Sequence, residues 1–231
     1  MKLLVNCFCY NCGKEVEYRN ILIGLCGNCA REIQRIDITR SCKKCGLPYG
    51  NENCTFCKEN VVEFDKNVSL YEYQGIIKYL IQCIKFENDI SKIKVIKQLT
   101  KDIVLDEIFG DFIDLVVPVP PSLLSFLNRG FDLVEMIFKP ISILNRKPFV
   151  KLLSKKPLSK QQKKLSKEER MNIIRKSFYI KMNIDLNNKV ILLCDDIFTT
   201  GNTLNACASL IKKLNPKKVY TLTLARSIRT I

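Results

Sequence analysis

At 231 residues, 47% of them hydrophobic, the chain has room for one α/β domain with an ordinary core and a small appendage. It contains no His, which excludes His metal ligands, His general bases and every Cys–His or Ser–His nucleophile pair. A formal charge of +15 exceeds what solubility requires and points to an anionic partner, either nucleic acid or a phosphorylated small molecule; a Lys-rich compositional bias is the bland alternative.

The N-terminus does not read as a secretory signal, because Lys2 is followed by only Leu3-Leu4-Val5 before Asn6 and the first Cys. No apolar run approaches membrane-spanning length. The expectation is a cytoplasmic protein with reduced thiols and no membrane insertion.

Nine of the twelve cysteines lie within the first 57 residues, and eight form Cys-x-x-Cys pairs: Cys9/Cys12, Cys26/Cys29, Cys42/Cys45 and Cys54/Cys57. Two such pairs complete a tetrahedral thiolate shell, so consecutive pairing yields two zinc ribbons. The spacing also admits crossed pairing, or one structural Zn²⁺ rather than two. A disulfide framework conflicts with a reducing compartment, and iron–sulfur sites use tighter Cys clustering. Few large apolar residues precede Val61, so metal would supply much of this segment's stability. Eight thiolates and two Zn²⁺ would leave the chain at about +11, still strongly basic. Cys7 is a bystander, and Cys83, Cys194 and Cys207 sit in apolar patterns as buried, inert thiols.

Beyond the cysteines, residues 68–73 alternate like a strand, and residues 75–86 place Ile76, Ile77, Leu80, Ile81 and Ile84 on one helical face. A second amphipathic helix is predicted over 90–108. A buried strand over 114–120 ends in Pro118 and Pro120, ahead of Asn128-Arg129-Gly130-Phe131. A helix is predicted over 133–144 and a short strand over 149–153. Residues 151–176 hold ten basic residues against two acidic ones, a net of +8, and read as a mobile basic insert able to reach over a ligand edge, or as a solvated linker. A strand from Val190, a helix over 203–214 and a strand over 219–224 complete a mainly parallel α/β sheet.

The strand from Val190 runs into Cys194-Asp195-Asp196-Ile197-Phe198-Thr199-Thr200-Gly201-Asn202-Thr203. Two adjacent carboxylates arrive at the sheet's carboxyl edge, where open α/β folds bind ligands. The hydroxyl- and Gly-bearing loop then leads to a helix N-terminus suited to phosphate. No Lys follows the Gly, so this is not a Walker A loop. The stretch resembles the 5-phosphoribosyl-1-pyrophosphate (PRPP) signature of type I phosphoribosyltransferases.

The whole chain resembles the ComF (ComFC) family of bacterial competence proteins. The resemblance rests on the four Cys pairs, Tyr73-Gln74-Gly75, Lys85-Phe86, Val117-Pro118-Val119-Pro120, Arg129-Gly130-Phe131, Gln161/Gln162, Arg170 with Asn172, Phe178, and the stretch from Asp195 to Thr203. Asp132 departs from it, since the family commonly has Asn there, and an added negative charge would weaken anion binding by that loop.

That family joins a double zinc ribbon, here residues 1–60, to a type I phosphoribosyltransferase-like domain, here residues 61–231 with 151–176 as a basic lid. By resemblance, Thr199, Thr200, Gly201, Asn202 and Thr203 hold the 5-phosphate. Asp195 and Asp196 take the ribose hydroxyls and, through water, Mg²⁺. Arg129 and the loop after Pro120 face pyrophosphate, with Arg170 reaching in from the lid and Lys85 approaching the anion. The resemblance implies a role in natural transformation and DNA uptake, with a helicase-like competence ATPase and other uptake proteins as partners.

Two activities remain open on these grounds: a PRPP-type site serving a protein that binds single-stranded DNA, or an active phosphoribosyltransferase using a nucleobase or nucleotide acceptor. For the first, Tyr71, Tyr73, Phe131 and Phe178 are candidate base-stacking groups, although aromatics in such patterns are more often core. A scaffold docking the ATPase through its ribbons is a third reading.

Overall fold

The structure, a computed structural model, describes residues 8–16, 24–50, 54–157 and 167–228, without the side chains of residues 167–171. The Cys-rich segment contributes two short helices, α1 (Gly27–Arg31) and α2 (Thr55–Glu59). Then follow β1 (Lys66–Glu72), α3 (Gly75–Phe86), α4 (Ile93–Thr100), α5 (Leu105–Phe109), β2 (Leu115–Pro118), α6 (Leu123–Arg129) and α7 (Leu133–Leu144). The chain continues through β3 (Leu153–Lys155), α8 (Lys167–Ser177), β4 (Phe178–Ile180), β5 (Val190–Phe198), α9 (Asn202–Lys212) and β6 (Lys218–Arg226).

β1, β6, β5 and β2 lie in that order in one sheet, and every pair is parallel. Such a sheet must be covered on both faces, and alternation along β5 does this. Leu192 and Cys194 face a core with Ile77, Leu80 and Ile84 of α3 and Ile137 and Phe138 of α7. Ile191 and Leu193 face a second core with Leu204, Cys207 and Ile211 of α9. Cys83, Cys194 and Cys207 are buried within these layers, as inert thiols would be.

The helices over 75–86 and 133–144 form with the bounds their periodicity predicts. The helix expected over 90–108 does not. Asp89 accepts from the Ser91 N–H and starts a 3-10 turn over Ile90–Lys92. α4 then ends at Thr100, whose hydroxyl bonds back to the Ile96 carbonyl, and α5 starts afresh with Asn145 Oδ1 accepting from Leu105 N at 2.8 Å. The strand expected over 149–153 is likewise divided: Phe149 bridges Val116, and β3 begins only at Leu153. β3 pairs with β4 as a separate antiparallel ribbon, so the basic insert leaves and returns through a two-stranded stem, with α8 packed on α9.

Candidate functional site

β5 delivers Asp195 and Asp196, both half-buried, to the carboxyl edge of the sheet. The Asp196 N–H donates to Asp195 Oδ1 at 2.8 Å, turning the first carboxylate along the strand end. Burial pushes the Asp195 carboxyl up to about 8 and the Asp196 charge adds to this, while the Asp196 N–H and the Lys85 and Lys155 charges oppose it. Lys85, in the last turn of α3, sets its Nζ 2.8 Å from Asp196 Oδ2, with side chains only 22% and 15% exposed. Lys85, expected to approach a bound anion, is here paired with Asp196.

Past the acids, Thr199 is exposed, Thr200, Asn202 and Thr203 are half-buried, and Gly201 is buried. Gly201 has φ +72° and is the residue before α9, whose N-terminus carries no side-chain cap. Among the described residues the first N–H groups of this eleven-residue helix receive no side-chain cap and point along its dipole, an arrangement that favours an anion. A Cβ on Gly201 would stand 2.8 Å from Cζ of Phe198, so the loop closes on that ring only because position 201 has no side chain.

Other predicted groups are placed differently. Arg129 ends α6, where its Nε donates to the Ser125 carbonyl at 3.0 Å and its guanidinium lies over Phe131. Arg170 lies in α8, but its side chain falls outside the described residues, as do Gln161 and Gln162. Asp132 caps α7, accepting from Glu135 N at 3.2 Å, and burial raises its carboxyl. Its immediate role is thus helix initiation. Asp132 also borders a cavity of about 340 Å³ shared with Pro118, Pro120, Lys151, Lys155 and Lys181.

The cysteines resolve into consecutive sets: Cys9, Cys12, Cys26 and Cys29, then Cys42, Cys45, Cys54 and Cys57, with each set's sulfurs within 4.8 Å of one another. Zn–S bonds of about 2.3 Å place tetrahedral sulfurs about 3.8 Å apart. The Cys12–Cys26 separation is 3.7 Å, Cys42–Cys57 3.8 Å and Cys45–Cys54 3.5 Å, so each set can hold one zinc ion. Asn11 Nδ2 donates to Cys29 Sγ at 3.2 Å, an outer-shell bond of the kind that orients a ligand. Crossed pairing is thereby set aside. Cys7 lies outside the described residues.

Residues 89–230 match the family described as phosphoribosyl transferase domain. The chain belongs to this family. Across most of its length it is similar to competence proteins. It is 26% identical over 214 residues to competence protein F of Haemophilus influenzae, covering 88% of this chain and 91% of that protein. With competence protein ComFC of Streptococcus pneumoniae the identity is 25% over 221 residues, 96% of this chain and 88% of that protein. A shorter stretch of 33 residues is 58% identical to adenine phosphoribosyltransferase of Bacteroides fragilis, spanning 14% of this chain and 18% of that one.

In this phosphoribosyl transferase domain protein, two of the candidate stacking groups take the core alternative. Tyr71 and Phe178 are core residues at 3% exposure each, and Tyr71 donates its hydroxyl to the Leu99 carbonyl. Tyr73 and Phe131 are half-buried. Among the described residues the exposed aromatics are instead Phe8, Tyr49, Tyr79, Phe86, Phe112, Phe126 and Tyr179. Sequence reasoning also missed Arg226 at the end of β6, which is 1% exposed. A cation closing a strand of alternating Thr and Leu was the only available signal.

Proposed function

We propose that this phosphoribosyl transferase domain protein is a competence-associated protein of natural transformation and DNA uptake. In this reading it binds PRPP at the carboxyl edge of its sheet and single-stranded DNA on its basic surface. One observation carries the proposal: two half-buried carboxylates, one countered by Lys85, stand directly before an uncapped helix N-terminus. The backbone N–H groups at Gly201, Asn202 and Thr203, with the Thr199, Thr200 and Thr203 hydroxyls, take the 5-phosphate. Asp195 and Asp196 accept from the ribose hydroxyls and, through water, would hold Mg²⁺, which neutralises pyrophosphate charge when bound. Lys85 balances Asp196 and can turn to an incoming phosphate; Arg129 and Arg170 supply further positive charge.

The DNA part of the proposal rests on the net +8 of residues 151–176 and on the names of the relatives. Residues 1–60 act as the zinc-ribbon unit and residues 61–231 as the transferase-like domain. A helicase-like ATPase and other uptake proteins are their partners in the cytoplasm. A second reading, an active phosphoribosyltransferase for a nucleobase or nucleotide, is favoured by the cavity of about 340 Å³ beside Pro118 and Lys155, which offers space for an acceptor. Pyrophosphate release across nucleobases, nucleotides and DNA ends would separate the two.

The primary test is calorimetric titration of PRPP with Mg²⁺ into wild type and Asp196→Asn. The proposal expects saturable binding by wild type and a loss of about tenfold or more in the variant. Absence of heat in wild type, or equal affinities, would overturn it.

A further inference from the structure

Arg226 is among the largest fully buried side chains of the molecule, and among the described residues it makes no ion pair with a carboxylate. Its Nη1 donates to the carbonyl of Cys45 at 2.6 Å, while its Nε has no partner among the described residues. A guanidinium stays charged, so burying it requires a compensating negative charge close by. The second cysteine set provides one. Four thiolates around Zn²⁺ carry a net charge of about −2.

The same guanidinium lies 4.0 Å from the ring centroid of Phe198 and 5.0 Å from that of Phe56 in α2, and the two rings meet edge to face at 5.5 Å. Phe198 is the ring on which Gly201 closes, at the start of the uncapped N-terminus of α9. Backbone bonds hold the seam: Ser227 N donates to the Phe198 carbonyl at 2.9 Å, and Asn67 N to the Lys44 carbonyl at 2.7 Å. Asn67 Nδ2 donates to the Cys45 carbonyl at 3.0 Å, so one zinc-ligand residue is gripped from two strands of the transferase sheet.

From this chain of contacts we infer that Arg226 is a positioning residue that couples zinc at Cys42, Cys45, Cys54 and Cys57 to the phosphate loop at 199–203. Zinc in the second set fixes the guanidinium, the guanidinium fixes Phe198, and Phe198 fixes the backbone that would receive a phosphate. Among the described residues the first set shows no such link: Cys9, Cys26 and Cys29 pack into the core on the opposite face of the sheet. The coupling rests on the proposed phosphate site for its functional meaning, but not for its physical test.

The test uses full-length, zinc-loaded protein and two variants, Arg226→Met, which keeps an unbranched chain without charge, and Arg226→Lys, which keeps charge without the fork. Zinc transfer to a chromophoric chelator reads both ions. Arg226→Met should weaken one of two zinc equivalents by about 10- to 100-fold and spare the other. Amide hydrogen exchange at 199–203 should quicken by about tenfold in Arg226→Met and in wild type stripped of the ion at Cys42, Cys45, Cys54 and Cys57. Arg226→Lys should fall between, and it decides the matter if the Met variant does not fold. Unchanged zinc release, or loop exchange indifferent to the ion, would overturn the inference. If both readouts respond while PRPP fails to bind wild type, the coupling stands and the ligand assignment falls.

Discussion

Replacing Gly201 with Ala should cost far more than the same change at Gly130, although both sit at nearly the same backbone angle, φ +72° and +74°. At Gly130 an added Cβ meets nothing within 4 Å, so the cost is left-handed strain alone, roughly 1–2 kcal/mol. At Gly201 the Cβ would stand 2.8 Å from Cζ and 3.3 Å from Cε1 of Phe198. That ring cannot swing away, since Phe56, Phe64 and Arg226 enclose it. Overpacking of this kind adds about 1–3 kcal/mol, giving roughly 2–5 kcal/mol in all. Urea unfolding of zinc-loaded protein measures both variants, with an unchanged slope showing that stability alone has moved. Equal losses at the two positions would refute the claim that Phe198 fixes the phosphate loop.

Other consequences follow from the acid pair and the basic surface. Asp195, at about 8 when folded and near the ordinary carboxyl value when unfolded, holds a proton that the unfolded chain gives up; its stabilisation is present at low pH and lost as pH rises toward 8. Between about pH 6 and pH 8, wild type should therefore lose stability relative to Asp195→Asn by up to about 1.4 kcal/mol per pH unit, and parallel urea profiles would contradict this. Lys85→Met leaves Asp196 unpaired beside a second carboxyl; for a pair only 22% and 15% exposed, a loss of about 1–2 kcal/mol in the same assay is expected, and a gain would count against the ion pair. Exchanging Lys155, Lys156, Lys163 and Lys164 for Gln should flatten the logarithmic salt dependence of single-stranded DNA binding by about 3, and an unaltered slope would remove the basic insert from the DNA surface.

The elements that periodicity predicted well are those whose stabilising contacts lie within themselves. α3 and α7 each carry an apolar stripe against the sheet, and their bounds match the pattern. The break before Leu105 was invisible because its cap, Asn145, lies forty residues away. The acids, the Gly turn and the helix after them were legible because the chemistry is contiguous along the chain. Cysteine spacing likewise announced thiolate metal sites, whereas their consecutive pairing needed the sulfur separations of the fold. Arg226 was not legible, because its burial depends on Cys45, 181 residues earlier, lying over the end of β6. Tyr71 and Phe178 were open between stacking and core for the related reason that an aromatic in a strand looks the same whether it faces solvent or core.

The central claim is that the carboxyl end of β5 and the start of α9 form one phosphoribosyl site. A crystal structure of the protein with PRPP and Mg²⁺ tests it most directly. The account predicts the 5-phosphate within hydrogen-bond distance of the N–H groups of Gly201, Asn202 and Thr203, and the ribose hydroxyls on Asp195 and Asp196. Ligand seated only in the lysine-lined cavity beside Pro118, with the N-terminus of α9 left bare and the Lys85–Asp196 pair intact, would contradict it.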